Sequence, residues 1–304
     1  MTKPPQQTEA WTILRLLTWT TDFFKSRGSD SARLDAEVLL AEARGCQRIE
    51  LYTAFDTEPD ERTRVAFREM VRRRAEGTPV AYLVGYKEFY SLKLRVNENV
   101  LIPRPDTEHL VIKALDLAKG MLQGQPLRVV DVGTGSGAIA IAVAKNLPHA
   151  KVLAIDNSAA ALEIARYNVK QHDLTTRVIL KQGDLLQPLC QTDPVDLICS
   201  NPPYVSQAEY DALPAEVRDH EPQTALLAGA TGTEVIERLL AEALQHLKPG
   251  GYLVLELSPM IADRCMDLAK STTGIDPQRV GLVKDLAGLK RVLFAGKAPD
   301  PGQS

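Results

Sequence analysis

The sequence lacks the features of disulfide-rich, metal-binding and membrane-spanning chains. Its cysteines, Cys46, Cys190, Cys199 and Cys265, are scattered without a C-x-x-C pair, which is typical of reduced thiols. Its histidines show no ligand spacing, so we expect no metal site. No apolar run is long enough to cross a bilayer, and the polar, proline-bearing segment 1–10 is unlike a signal peptide. We therefore expect a cytoplasmic protein.

An excess of positive charge is also missing. The formal net charge is −3, whereas proteins that bind nucleic acid through phosphates are usually basic. The 304 residues are enough for two domains, and the 44% of hydrophobic residues are enough for ordinary buried cores. This composition favours a globular protein that needs no direct nucleic acid contact.

The periodicity changes along the chain. Up to about Gly77 the apolar spacing is helical, and one helix is predicted over 60–76, with Val65 and Phe67 inward and the basic triplet Arg72–Arg74 facing solvent. Between Tyr86 and Ile102 the period becomes two, which predicts a strand or hairpin. We expect a helical domain over 1–84, a β-hairpin linker over 85–105 and an α/β domain over 106–304.

From Leu127 onward short β-branched runs alternate with helical segments. This alternation predicts a mostly parallel sheet covered by helices on both faces. The predicted strands are LRVVDV, KVLAID, RVILKQ, VDLICS and YLVLEL, followed by two more around 279–286 and 290–295.

A glycine-rich turn follows the first of these strands. Gly133-Thr134-Gly135-Ser136-Gly137 lies between LRVVDV and a helix, so backbone N–H groups and a close backbone approach are available to a ligand. With Ala138 the turn also satisfies the dinucleotide pattern G-x-G-x-x-G/A, so the motif alone leaves a nicotinamide dehydrogenase open.

Acidic residues end the next two strands. Asp156 is well placed to accept hydrogen bonds from ribose hydroxyls, a feature that both cofactor classes share. Asp184 could bind an adenine amino group with Leu185 against the ring, or it could simply cap a turn.

The fourth strand ends in Asn201-Pro202-Pro203-Tyr204. Two prolines stop strand pairing and stiffen the loop at the edge of the sheet where open α/β folds bind ligands. The Asn201 side-chain oxygen and the Pro202 carbonyl are suitable acceptors for the hydrogens of a planar NH2 group, and Tyr204 offers a flat face. Together with the glycine loop, this motif indicates methyl transfer to a planar NH2 group, with positioning and desolvation in place of a general base.

Three other interpretations of the sequence can be distinguished from methyl transfer to a planar NH2 group. A DNA adenine methyltransferase would carry a basic cleft or a target-recognition domain, and a dehydrogenase has no need of Asn-Pro-Pro-Tyr. A non-catalytic module of the same fold would often have lost cofactor or acceptor residues, and both sets are present here.

Over nearly its whole length the chain resembles the HemK/PrmC-type release factor glutamine methyltransferases. Besides the glycine loop and Asn201–Val205, the matching stretches are Leu34–Glu37, Pro79–Leu83 with Gly85, Phe89–Tyr90, Ile102–Glu108, His220–Pro222 with Thr224–Leu226, and Lys284–Gly288.

The resemblance implies a class I, Rossmann-like methyltransferase fold with a seven-stranded, mostly parallel sheet, a small N-terminal helical domain that docks the substrate, and a β-hairpin linker. It implies S-adenosyl-L-methionine as cofactor and peptide chain release factors as partners, with the glutamine of the Gly-Gly-Gln loop as acceptor and a monomeric enzyme. By motif match, Gly133–Gly137, Asp156, Asp184, Leu185 and Asn201 bind the cofactor. The loop Asn201–Tyr204 binds the glutamine, with Asn201, Pro202 and Tyr204 as catalytic residues.

A sister family that methylates a ribosomal protein glutamine shares Asn-Pro-Pro-Tyr but usually departs from I-P-R-P-D-T-E, which Ile102–Glu108 retains. We expect this segment to fold over the methionine end of the cofactor, and Glu221 to order the loop after Tyr204. Ser258 stands where the family usually has glycine, and we expect the local backbone to tolerate it.

Overall fold

The computed structural model describes residues 10–121, 126–189 and 194–300, and it divides into two compact units, Met1–Gly85 and Tyr86–Ser304. Cys190 and segment 1–9 lie outside the described residues. Within these ranges no helix is long and apolar enough to span a bilayer. The same ranges contain no cluster of His, Cys, Asp and Glu side chains that could bind a metal ion.

The first unit is entirely helical. Thr12 Oγ1 accepts from the Arg15 amide at 3.3 Å, and Asp60 Oδ1 accepts from the Thr63 amide at 2.7 Å, so side-chain caps begin two of its helices. Buried leucine, isoleucine and phenylalanine side chains form its core. Its helices are α1 Ile13–Ser26, α2 Ala32–Arg44, α3 Arg48–Tyr52, α4 Glu61–Ala75 and α5 Val80–Val84.

Helix α4 buries a different face from the one predicted. Phe67 is buried as expected, but the prediction for Val65 was wrong, because its side chain is 51% exposed. Arg74 was also predicted wrongly as solvent-facing: its Nε donates to Asp35 Oδ2 at 2.9 Å, and both side chains are largely buried. The ion pair with Asp35, which is distant in the sequence, therefore outweighs the usual preference of an arginine side chain for solvent.

The second unit begins with a hairpin. Strands β1 (Tyr86–Phe89) and β2 (Leu92–Arg95) pair antiparallel with Tyr86 opposite Arg95. Tyr90 and Ser91 connect them with φ of 50° and 59°. Positive φ at both central residues is the geometry of a type I′ turn, whose twist matches the flanking strands. The predicted hairpin is confirmed.

A seven-stranded sheet forms the centre of the second unit, in the order β10-β11-β9-β6-β3-β4-β5. The five strands from β9 to β5 are parallel, and β11 and β10 continue the sheet antiparallel at one edge. The predicted fold class is therefore confirmed. The strands are β3 Arg128–Val132, β4 Lys151–Asp156, β5 Val178–Gln182, β6 Val195–Ser200, β9 Leu247–Glu256, β10 Ile275–Lys284 and β11 Lys290–Lys297.

Helices cover both faces of the sheet. Helices α6 and α7 pack in the core of one face, and α11 and α12 pack in the core of the other. Two short strands pair with each other after β6. The remaining elements are α6 Thr107–Met121, α7 Ala138–Asn146, α8 Ala159–Gln171, β7 Val205–Ser206, α9 Gln207–Asp211, α10 Ala215–Arg218, β8 Leu227–Gly229, α11 Glu234–His246 and α12 Ala262–Ser271.

The parallel strands end together. Val132 is opposite Ser200, and Ser200 is opposite Leu255, so the residues that follow β3, β6 and β9 meet at one edge of the sheet. This edge is where open α/β sheets bind ligands. Ser258, just beyond β9, does not adopt a positive φ, and its Oγ accepts from the Met260 amide at 3.3 Å, so the backbone accommodates the serine as expected.

Candidate active site

The glycine loop after β3 has a conformation that requires glycine. Gly133, Gly135 and Gly137 have φ of 68°, 54° and 84°, a left-handed region that side chains disfavour. An ideal Cβ on Gly135 would meet no atom within 4 Å, and the residue lines a cavity of about 350 Å³. Gly135 therefore leaves room for a ligand to approach its backbone closely. Gly137, which was expected to bind the cofactor, does not line the cavity, and a Cβ on it would lie 3.2 Å from the Ile141 side chain.

The side chain of Asp131, at the end of β3, stabilises this loop by hydrogen bonds. The carboxyl is fully buried, and its Oδ2 accepts from Thr134 Oγ1 at 2.6 Å and from the Ala140 amide at 3.0 Å. Burial raises the pKa of Asp131 to about 7, although both hydrogen bonds oppose the shift. Sequence reasoning missed this role. The available signal was an aspartate inside an apolar strand immediately before the glycines, since buried carboxyls need partners.

Asp156, at the end of β4, joins the glycine loop to the next turn. Its Oδ2 accepts from the Gly135 amide at 2.8 Å and its Oδ1 from the Ser158 amide at 2.9 Å. Burial raises the pKa of Asp156, and these backbone donors oppose the rise. Each carboxylate oxygen retains acceptor capacity, and the residue lines the cavity, so it suits a vicinal diol such as that of ribose.

Asp184 and Leu185 line the same cavity after β5. Asp184 Oδ2 pairs with Arg238 at 2.5 Å, an interaction not foreseen from the sequence. Leu185 has a φ of 48°, which is unusual for a leucine and orients the turn at the rim of the cavity.

Asn201, Pro202 and Pro203 line the cavity next to the glycine loop. Ser200 Oγ donates to the Val132 carbonyl at 2.7 Å and so joins the ends of β6 and β3. A Cβ built on Gly133 would lie 3.9 Å from the Asn201 carbonyl oxygen. The two motifs that the sequence analysis singled out therefore border one cavity.

Tyr204 has a different placement from its neighbours. It does not line the cavity among the described residues; its ring packs against the hydrophobic core, and its hydroxyl donates to Glu256 Oε1 at 3.1 Å. Burial, followed by the charge of Glu256 and this hydrogen bond, raises the pKa of Tyr204 well above its ordinary value. The phenol is therefore neutral and donates a hydrogen bond to Glu256.

The segment before α6 reaches the same site. Pro103 and Thr107 line the cavity, and Thr107 Oγ1 accepts from Asn201 Nδ2 at 3.2 Å. Glu221 Oε2 accepts from the Ile102 amide at 3.1 Å, and its Oε1 pairs with Arg104. Glu221, which follows Asn201–Tyr204 in the chain, thus fixes the segment that borders the cavity.

Glu256 connects these elements at the end of β9. It is buried, and burial raises its pKa, while hydrogen bonds from Thr107 and Tyr204 lower it. From the sequence, Thr107 was expected only as part of the segment Ile102–Glu108 over the cofactor, and Glu256 was assigned no role. Their partners are 94 and 52 residues away in the chain, so no local motif could have indicated the contacts.

Comparisons with known proteins cover both units. The family model described as "PrmC N-terminal domain" matches residues 15–85, and the one described as "Methyltransferase small domain" matches residues 109–217. The catalytic domain of hMettl16, solved in complex with MAT2A 3'UTR hairpin 6, is 17% identical with a TM-score of 0.56 over 77% of this chain and 83% of its own. At that identity the likeness concerns the fold alone.

Curated relatives match over almost the full length. The release factor glutamine methyltransferase of Rhodopirellula baltica is 58% identical over 95% of this chain and 97% of its own length. The protein of that name from Nitratidesulfovibrio vulgaris is 39% identical over 96% and 97%. The chain therefore belongs to the release factor glutamine methyltransferase family.

Proposed function

We propose that this protein transfers a methyl group from S-adenosylmethionine to the side-chain amide nitrogen of the glutamine in the Gly-Gly-Gln loop of a peptide chain release factor. The observation that carries the proposal is the cavity lined both by Gly133–Ser136 and by Asn201–Pro203. A cofactor and an acceptor bound to these two loops share one cavity. Membership of the family supports the substrate.

The cofactor fits the donors and the space of this cavity. When bound, it supplies a methyl group on a sulfonium, which makes that methyl electrophilic. Gly133 and Gly135 allow close backbone approach, and Asp156 accepts from the ribose hydroxyls. Asp184 and Leu185 border the position proposed for the adenine, and Pro103 and Thr107 border the opposite part.

Asn201 and Pro202 orient the acceptor. The lone pair of an amide nitrogen is delocalised, which makes it a poor nucleophile. Two acceptors, Asn201 Oδ1 and the Pro202 carbonyl, bind the two NH2 hydrogens, fix the plane of the amide and favour pyramidalisation of the nitrogen. No base is needed before transfer, because the proton leaves the nitrogen afterwards. Catalysis consists of positioning and exclusion of water.

Thr107 determines which way the Asn201 amide faces. Thr107 Oγ1 accepts from Asn201 Nδ2 at 3.2 Å, so the Asn201 NH2 is turned toward Thr107 and the Asn201 Oδ1 is left to accept from a ligand. Asn201 is thereby held as an acceptor, the role that the glutamine NH2 requires.

Tyr204, at the end of the Asn201–Tyr204 loop, is hydrogen-bonded to Glu256. Its hydroxyl donates to that carboxylate, which stabilises the charge and fixes the end of the Asn201–Tyr204 loop. In the substrate complex, the ring of Tyr204 turns toward the glutamine and offers its flat face to the glutamine amide.

The remaining assignments concern the rest of the molecule. We infer that residues 1–84 dock the release factor, with residues 85–105 as the linker to a methyltransferase domain over 106–304. Because release factors act on ribosomes, we infer a cytoplasmic enzyme, and we infer that it acts as a monomer.

The test is cofactor turnover with defined acceptors. The purified protein is incubated with S-adenosylmethionine and an unmethylated release factor, a ribosomal protein or DNA, and S-adenosylhomocysteine is measured. We expect product only with the release factor. Product with another acceptor alone would leave the methyl-transfer chemistry and overturn the substrate.

A further inference from the structure

Residues Asp285–Leu289, which connect β10 to β11, form a rigidly built loop that the catalytic chemistry does not use. The Asp285 amide donates to the Leu289 carbonyl at 2.8 Å, and the Gly288 amide donates to the Asp285 carbonyl at 3.0 Å. Asp285 Oδ1 accepts from the Leu289 amide at 2.8 Å. Gly288 has a φ of 80°, which closes the turn. The carboxylate and the glycine therefore hold one loop conformation.

This rigid loop presents an apolar surface to water. Leu286 has a relative exposure of 101%, and Leu289 and Met260 are also exposed. A single exposed leucine is ordinary. Here, however, the leucine lies at the tip of a fixed loop, and Met260 follows β9, whose continuation pairs with β11 through Leu257 and Arg291.

The loop borders the active site. Arg291 Nε pairs with Asp285 Oδ2 at 3.0 Å, and Arg291 Nη2 pairs with Asp106 Oδ2 at 3.1 Å. Asp106 directly precedes Thr107, the residue that contacts Asn201. In the sheet, Val292 of β11 is opposite Glu256. The loop therefore lies at the same end of the sheet as the cavity that Asn201 lines.

We propose that Leu286, with Met260 and Leu289, forms a docking contact for the folded release factor beside its Gly-Gly-Gln loop. The proposal rests on the proposed function and names a surface that this function uses. The partner is an apolar protein surface because the side chains exposed at the loop are apolar, and because Arg291 joins the loop to Asp106, beside Thr107 of the cavity.

The test separates docking from catalysis. Leu286→Ser and Leu286→Met are compared with the intact chain in methyl transfer to an unmethylated release factor, and KM for the factor, kcat and S-adenosylhomocysteine affinity are measured. Ile179→Ser is the matched control, because Ile179 is also an exposed apolar residue but lies on β5, at the opposite edge of the sheet.

For Leu286→Ser we expect KM for the release factor to rise about tenfold, from loss of one partly buried leucine contact, with kcat and S-adenosylhomocysteine affinity unchanged. Leu286→Met and Ile179→Ser should retain the original KM. An unchanged KM in Leu286→Ser, or an equal rise in Ile179→Ser, would overturn the docking surface. Absence of methylation by the unaltered protein would instead overturn the proposed function.

Discussion

Replacing Thr107 with valine removes the hydroxyl that accepts from Asn201 while keeping the β-branched shape of a buried side chain. In the intact protein the Thr107 oxygen accepts from Asn201 Nδ2 at 3.2 Å. Valine offers no acceptor, so the Asn201 amide loses the hydrogen bond that fixes its orientation. The cavity and the cofactor-binding turn remain in place, because Asp156 and the glycine loop make no hydrogen bond to Thr107.

The expected magnitude follows from the hydrogen bond that valine cannot make. One hydrogen bond between neutral groups contributes about 1 kcal/mol net, and leaving a buried polar group unpaired costs about 1–3 kcal/mol. A loss of about 1.4 kcal/mol in the transition state corresponds to a tenfold lower rate. We therefore expect Thr107→Val to lower kcat by roughly tenfold to hundredfold, with the Kd for S-adenosylmethionine unchanged.

Thr107→Ser is the matched control, because it keeps the hydroxyl and loses only a methyl group. We expect it to retain most of the kcat of the intact protein. The assay is steady-state methyl transfer to an unmethylated release factor, with cofactor affinity measured by calorimetry. A Thr107→Val variant with unchanged kcat, or a Thr107→Ser variant as slow as Thr107→Val, would refute the proposed orientation of Asn201.

Three further predictions concern the carboxylates and the amide of the site. Asn201→Ala should lower kcat at least about a hundredfold with little change in cofactor affinity; methyl transfer at the original rate would contradict its role. Asp156→Ala should weaken S-adenosylmethionine binding by roughly tenfold to hundredfold, measured by calorimetry; unchanged affinity would remove Asp156 from the ribose site. Folded Asp131 keeps its proton to about pH 7, whereas an unfolded aspartate releases it near pH 4, so its protonation stabilises the fold at low pH and this contribution is lost as pH rises through 7. Between pH 5 and pH 8, the unfolding free energy of the intact protein should therefore fall by on the order of a few kcal/mol more than that of Asp131→Asn, as measured by urea titration. Equal losses in both proteins would contradict the buried, protonated carboxyl.

Much of the site was predictable because it consists of local motifs. The glycines of Gly133–Gly137 adopt conformations that only their own residue type favours, and the two consecutive prolines after Asn201 prevent further pairing of the strand that precedes them. Regular alternation of strands and helices then places both loops at one edge of the sheet. The resemblance to the release factor glutamine methyltransferases, read from such motifs, is confirmed by the full-length relatives.

The features that were not predictable depend on residues distant in sequence. Val65 faces solvent and Arg74 faces Asp35, because the packing of α2 on α4 selects the buried face and a weak apolar pattern does not. Thr107 lies in the conspicuous segment Ile102–Glu108, but its contact with Asn201 and the contact of Glu256 with Tyr204 form only when distant parts of the chain meet in the fold. The role of Tyr204 toward the acceptor stays a prediction.

The most direct test of the central claim is the position of the methyl group on the substrate. An unmethylated release factor is incubated with the protein and S-adenosylmethionine, digested, and fragmented by tandem mass spectrometry, beside a factor whose Gly-Gly-Gln glutamine is replaced by glutamate. We predict one added methyl on the side-chain amide nitrogen of that glutamine and none on the glutamate variant. A methyl group on another residue, or on the glutamate variant, would contradict the account.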